Sequence, residues 1–156
     1  MVCAALVAAV SSTHMALGQV PSDHDALLAG TESGELRQAE ANGYPSPRRV
    51  LELEKELRLT DAQKKALKEV ADEARPRAVE LGKRIVGVEG EMNDAFRTGM
   101  VSEQSIKDDA DQIGRLRGKL RAVFLTARLK ARKALTPEQL SLYKNLKTPA
   151  QAPKQK

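Results

Sequence analysis

Apolar residues recur with helical spacing over two long stretches of the chain. Leu67, Ala74, Leu81, Val88 and Ala95 fall every seventh residue, with Ala71, Ala78, Ile85 and Met92 between them. This is a heptad seam, and it predicts one long amphipathic helix. A second seam runs Ile106, Ile113, Leu120, Ala127 and Ala134, with Ala110, Phe124 and Ala131 between them and Arg117 interrupting it. Acid-first pairs four residues apart, Asp61/Lys65, Glu73/Arg77 and Glu80/Arg84, suit the exposed side of the first helix. Gly99 can end that helix and Ser102 can cap the next. The short connection from Arg97 to Val101 then folds the two helices back as an antiparallel hairpin.

The ends of the hairpin carry their own signals. Thr60-Asp61-Ala62-Gln63 is a capping box, in which threonine and glutamine each satisfy an amide that the first helical turn leaves without a partner. The device returns at Thr136-Pro137-Glu138-Gln139, where Pro137 stands at a position whose N–H is not needed, and Leu135 and Leu140 flank the cap as a hydrophobic staple. Pro47 suits the first position of a short helix carrying Val50, Leu51, Leu53 and Leu57 and stopping near Leu57 to Leu59. Pro76 should kink the first long helix. With the turn centred near residue 100, Gly82 lies level with Gly118 and Gly87 with Gly114, which suggests a close approach of the two arms at these pairs.

Composition agrees with helices and excludes much else. Aromatic residues are 3% of 156, too few for a β-sandwich or barrel, so the expected fold class is all-α: a long antiparallel hairpin with short flanking helices. One narrow seam buries little, so a second copy is the expected partner, giving a homodimer. One cysteine and two histidines exclude a disulfide scaffold and any zinc site built from Cys and His alone within one chain.

Residues 1–18 carry no Lys, Arg, Asp or Glu, include the apolar run Val2 to Val10, and end in Ala16-Leu17-Gly18 before Gln19. They read as a signal peptide too short to span a membrane, which places the mature protein in the periplasm and makes stable membrane insertion unexpected. Residues 19–46 read as an acidic flexible arm, mobile or loosely docked, residues 47–147 as the helical hairpin, and residues 148–156 as a disordered tail.

The formal charge of +5 hides an uneven distribution. Gln19 to Pro47 holds five acids against Arg37, a balance of −4, which leaves +9 for the rest. Between Gln112 and Pro137 stand eight cations and no acid: Arg115, Arg117, Lys119, Arg121, Arg128, Lys130, Arg132 and Lys133. Such a face attracts acidic partners, and long Lys and Arg stems over Leu, Ala and Phe124 make an amphipathic surface able to hold unfolded chains. Nucleic acid is disfavoured by the export signal, the modest total charge and the shortage of aromatics for base stacking.

Catalytic chemistry has little to work with. After Gly18 the only imidazole is His24, no phosphate-binding loop is present, and paired acids such as Asp108 and Asp109 suit a solvated helix flank. The expectation is a protein that is not an enzyme and needs no cofactor. Asp23, His24 and Asp25 form the one plausible metal cluster, a partial Zn or Ni site to be completed by a second subunit.

The boxes Leu59-Thr60-Asp61-Ala62-Gln63 and Leu135-Thr136-Pro137-Glu138-Gln139, bracketing a hairpin behind a signal peptide, resemble the Spy/CpxP-like LTxxQ-motif family and its related heavy-metal-sensor branch. Asn42 to Pro47 with Val50-Leu51-Glu52-Leu53, and Ile113 to Gly118 with Leu120-Arg121, are similar to a subgroup of that family. The resemblance covers about Asn42 to Leu146. It implies a periplasmic, ATP-independent chaperone or envelope-stress regulator, a cradle-shaped antiparallel dimer with a basic concave face. Its partners would be unfolded or misfolded proteins and an envelope-stress sensor kinase. On this chain the face would carry Arg115, Arg117, Lys119, Arg121, Phe124, Arg128, Lys130 and Arg132. The alternative is a heavy-metal sensor binding Zn, Ni or Cu, although the His and Cys residues used by metal-sensing members are largely lacking after Gly18.

Overall fold

The computed structural model describes residues 23–32 and 36–147; the expected signal segment, residues 1–18, and tail, residues 148–156, lie outside them. The described residues form six helices and no strand: α1 (Asp23–Ala29), α2 (Arg37–Ala41), α3 (Pro47–Glu52), α4 (Asp61–Thr98), α5 (Glu103–Lys133) and α6 (Pro137–Lys147). The fold is all-α, as the two seams predict. No helix among the described residues is long and apolar enough to cross a membrane.

Local chemistry sets the helix ends. The α4 cap is reciprocal: the Gln63 N–H donates to Thr60 Oγ1 at 3.2 Å and the Thr60 N–H donates to Gln63 Oε1 at 3.0 Å. Gly99, with φ +71°, closes α4 in the left-handed conformation that side chains disfavour, and Ser102 and Ser105 make a second reciprocal box at the start of α5. Pro76 stands inside the continuous run of α4, where its missing N–H forfeits one helical bond. At ~1.5 Å per residue, α4 is roughly 57 Å long and α5 roughly 46 Å.

α3 begins where expected, with Ser46 accepting from the Arg49 N–H and Pro47 in the first turn, but it ends at Glu52 rather than near Leu57. Turns then carry the chain through Arg58, whose φ is +50°. The early stop has a packing reason. Leu57 and Leu59 are both buried, and residues two apart on an unbroken helix point about 200° apart.

The antiparallel register is visible in the packing partners. Leu67 shares a cluster with Ala131, Ala78 with Phe124, and Ile85 with Leu116, so positions rise along α5 as they fall along α4. The thickest core lies at the open end of the hairpin, where Val50, Leu57, Leu59, Leu67, Leu135 and Tyr143 pack together. Each large apolar side chain buried there contributes about 1.5–3 kcal/mol. The second seam holds from Ile113 to Ala134, with Phe124, Ala127 and Ala131 buried. Leu116, 2% exposed, joins it at its edge, whereas Ile106, near the hairpin tip, is 37% exposed. Glu73 pairs with Arg77 at 3.5 Å as expected, but Asp61 pairs with Lys64 rather than Lys65.

One further expectation is corrected. The glycine pairs do not bring the arms together: a Cβ at Gly87, Gly114 or Gly118 would meet nothing within 4 Å, while one at Gly82 would lie 2.0 Å from the Leu27 carbonyl oxygen. Gly82 therefore makes room for α1 crossing α4. The acidic arm, in its described residues, packs against the hairpin. Leu27 and Leu36 are 4% and 3% exposed, and each joins a core cluster with residues of α4 and α5.

Candidate functional site

The cations of α5 divide into two faces. At about 100° per residue, Arg117, Arg121, Phe124, Arg128 and Arg132 fall within one narrow stripe, while Arg115, Lys119, Lys130 and Lys133 fall on the opposite side. The eight residues assigned to one client-binding face therefore do not form one face.

The stripe faces the acidic arm. Arg117 Nη2 donates to Asp23 at 2.8 Å, at the start of α1, and to Glu89 of α4 at 2.9 Å. Those two carboxylates hold the Arg117 guanidinium above its ordinary value. This explains why a cation interrupts the seam at 117: the position is filled by an ion-pair network rather than by an apolar layer. Arg121 and Phe124 line a recess against α1 with Asp23, Ala26 and Leu27.

Arg128 is the centre of the stripe and is 3% exposed. Its Nη2 is hydrogen-bonded to Glu32 and lies 3.6 Å from Glu40, and its Nη1 donates to the Tyr44 carbonyl at 2.6 Å. Glu40 also accepts from the Tyr143 hydroxyl at 2.5 Å, joining α6 to the network. Burial lifts the Glu32 carboxyl above the ordinary carboxylate value, while the Arg128 charge and hydrogen bond pull it back and Glu40 adds to the rise. Burial and the Glu40 bond push the Tyr143 hydroxyl well above the usual phenol range. One turn on, Arg132 donates to the Gly43 carbonyl at 2.6 Å and sits 4.8 Å from the centre of the Tyr44 ring, a cation–π contact. Gly43, at φ +83°, follows α2 and turns this carbonyl toward α5.

The other face behaves differently. Lys130 pairs with Glu73 across the hairpin at 2.7 Å and Arg115 pairs with Asp111 on its own helix. Lys119 and Lys130 edge an open groove of about 280 Å³ between α4 and α5, floored by Val70, Ala74, Ala122 and Val123.

The two motif boxes meet at the base of the hairpin. Gln63 Nε2 donates to Gln139 Oε1 at 2.8 Å and to the Ala134 carbonyl at 2.9 Å; Gln139 Nε2 donates to Gln63 Oε1 at 3.1 Å and to the Leu57 carbonyl at 3.2 Å. Gln139 also closes its own cap on Thr136, at 3.0 and 3.2 Å. Leu59 and Leu135 are buried beside this pair, and Thr60 and Thr136 stay at the surface. The motif residues are thus brought together, which their separation in the chain does not reveal.

Asp23, His24 and Asp25 are not brought together as a metal site. Consecutive helical residues fan out by about 100° each, and the Asp23 carboxylate is committed to Arg117. Among the described residues no group of three or more His, Cys, Asp or Glu could hold a metal ion. The residues that sequence reasoning missed are the arm's own contributors: Glu32, Glu40, Gly43 and Tyr44. Their signal was the charge imbalance, −4 on the arm facing +9 on the remainder.

A two-arm helical hairpin closed at its base by paired Leu-Thr-x-x-Gln caps defines an all-helical protein of the LTxxQ type. The chain belongs to the heavy-metal resistance family, whose model matches residues 41–141, well over half of its length. That family contains the Spy/CpxP-like LTxxQ periplasmic proteins. Its members are typically periplasmic. No curated protein and no solved structure gives a significant match to the chain.

Proposed function

We propose that this member of the heavy-metal resistance family is a periplasmic, ATP-independent holding protein that binds unfolded polypeptides reversibly on the cationic stripe of α5. It works without a cofactor and without catalysis. The observation that carries this reading is the occupied stripe itself. Arg117, Arg128 and Arg132 already hold a polypeptide segment through carboxylates and backbone carbonyls, the groups every unfolded acidic chain can offer. A second copy completes the functional unit in this proposal, with half-exposed Leu125 and Leu129 on α5 and Leu142 on α6 as apolar surface available to it. The test is the aggregation of a chemically unfolded client, followed by light scattering with substoichiometric amounts of the chain beginning at Gln19. Protection that survives reversal of Arg117 and Arg132 to Glu, with helicity retained, rejects the stripe.

The family description favours a second reading, direct binding of a heavy-metal ion. His24 and Asp25 are exposed residues of α1 and would need donors from another chain. Calorimetric titration with Zn, Ni and Cu distinguishes the readings: a saturable site that is lost in His24→Ala supports metal binding.

A further inference from the structure

The arm, residues 23–32 and 36–46, lies along α5 as a ligand lies in a site. Two of its carboxylates, Asp23 and Glu32, meet two guanidinium groups. Two backbone carbonyls, of Gly43 and Tyr44, are taken by Arg132 and Arg128, and the Tyr44 ring stacks against Arg132. Leu27 and Leu36 supply apolar anchors between these polar contacts. From Arg117 to Arg132 the stripe is roughly 22 Å long, a length suited to a peptide.

Among the described residues the fit is incomplete at its centre: Arg128 Nε is buried and has no hydrogen-bond partner among them, although its other two nitrogens are engaged. A buried donor left unpaired favours exchange of the resident segment for one that reaches it. Burial raises the Glu32 carboxyl above the ordinary carboxylate value although Arg128 pulls it back, so desolvation offsets part of what the pair supplies. The arm's helices are also short, seven and five residues, and depend on packing for their stability.

We propose that the arm is a displaceable occupant of the α5 stripe, and that the partner taking its place is an acidic polypeptide segment that sets carboxylates on Arg117 and Arg128 and backbone carbonyls on Arg128 and Arg132. The inference rests on the polypeptide-holding function proposed above and names its regulation and its client chemistry. The arm lowers the apparent affinity for weak or basic chains and yields to acidic ones, because its removal is charged against every binding event.

The test uses a fluorescein-labelled synthetic peptide with the sequence of residues 23–46, followed by anisotropy against the full chain. Two variants release the arm by unlike means. Glu32→Lys sets a like charge on Arg128, and Leu27→Ser with Leu36→Ser removes the apolar anchors without changing charge. Both should bind the peptide at least tenfold more tightly than the parent chain. The gain should vanish at high salt and in a release variant that also carries Arg117→Glu and Arg132→Glu. A peptide with Asn or Gln at each of its five acidic positions should bind neither variant. If the serine variant unfolds by circular dichroism, Glu32→Lys decides alone. Equal affinity for the parent and the released chains, or equal binding of the neutral peptide, overturns the proposal. Client aggregation read on the same proteins separates the two ideas. Peptide gain without client protection retains the displaceable arm and rejects the holding function; client protection without peptide gain does the reverse.

Discussion

Gln63 and Gln139, 76 positions apart, form a reciprocal amide pair across the base of the hairpin, with N–O distances of 2.8 and 3.1 Å. Each carboxamide uses its full hydrogen-bonding capacity. The oxygen accepts from its own cap and from the opposite amide, and the nitrogen donates to the opposite oxygen and to a main-chain carbonyl. What reads in sequence as two copies of a helix cap is therefore a single joint between the starts of α4 and α6.

Removal of either half of the joint leaves the other half with unmet donors and acceptors. Gln63→Ala and Gln139→Ala should each cost about 1–3 kcal/mol, from the cap and from the stranded partner. The double variant should cost clearly less than the sum, because the second change removes groups already stranded. Urea denaturation of the four proteins reads the cycle. Strict additivity would show that the two amides do not interact.

Glycine substitutions should split by position. Gly82→Ala sets a methyl group on the Leu27 carbonyl, 2.0 Å from an oxygen that belongs to the main chain, so α1 must leave α4. Amide exchange in α1 should rise sharply while α5 stays protected. Gly118→Ala and Gly114→Ala enter open space inside a helix and should stabilise the fold by about 0.5–1 kcal/mol each. Thermal melts rank the three, and a stabilised Gly82→Ala would contradict the crossing.

Arg128→Ala strands Glu32, leaves Glu40 to Tyr143 without its neighbouring cation, and frees the Tyr44 carbonyl; the two carboxylate side chains are 21% and 19% exposed. The expected loss is about 2–4 kcal/mol, at the lower end of the range for a broken buried pair because the carboxylates are partly exposed. Arg115→Ala removes a partner of Asp111 at an exposed position of the same helix and should change stability by less than about 0.5 kcal/mol. The contrast tests the division of the α5 cations into two faces, since both residues belong to the same basic run. Similar losses for the two would reject it.

Stability should respond to pH through Glu32 with a definite sign. Its carboxyl is raised by burial, so the folded chain keeps the proton to higher pH than the unfolded chain does. The stability this supplies is fully present below the ordinary value of 4.5 and is lost as pH rises through the folded value. Glu32→Gln removes that titration. The stability of the parent relative to Glu32→Gln should therefore decline as pH is raised from about 4.5 to about 7, measured by urea melts at each pH. An increase over that range would mean that the Arg128 attraction outweighs burial.

The hairpin was legible because its instructions are local and repeated. Leu67 to Ala95 and Ile113 to Ala134 keep a constant helical period, and Thr60, Gly99, Ser102 and Thr136 mark the ends within one turn of where the helices begin or stop. The arm was not legible for the opposite reason. α1 and α2 are too short to display a period, and the arm's hydrogen-bonding partners on α5 and α6 lie 84 to 103 positions away. Gly82 shows the limit most clearly. Its level along the hairpin followed from counting residues, but the direction it faces, toward α1 and not toward Gly118, depends on an element whose docking no spacing rule announces. Arg117 was visible as a break in a seam, and only Asp23 and Glu89 give the break its cause.

The amide joint also constrains how this architecture can vary in size. Because Gln63 and Gln139 must meet, the chain between them is a closed circuit whose outward and return paths are equal in reach. A residue gained by α4 alone would turn its apolar stripe by about 100° and pull the joint out of alignment. Growth or shortening is therefore permitted only in matched steps on both arms, in units of seven that restore the stripe, each shifting the tip by about 10 Å. The hairpin behaves as a ruler fixed at one end, graduated by its own seam.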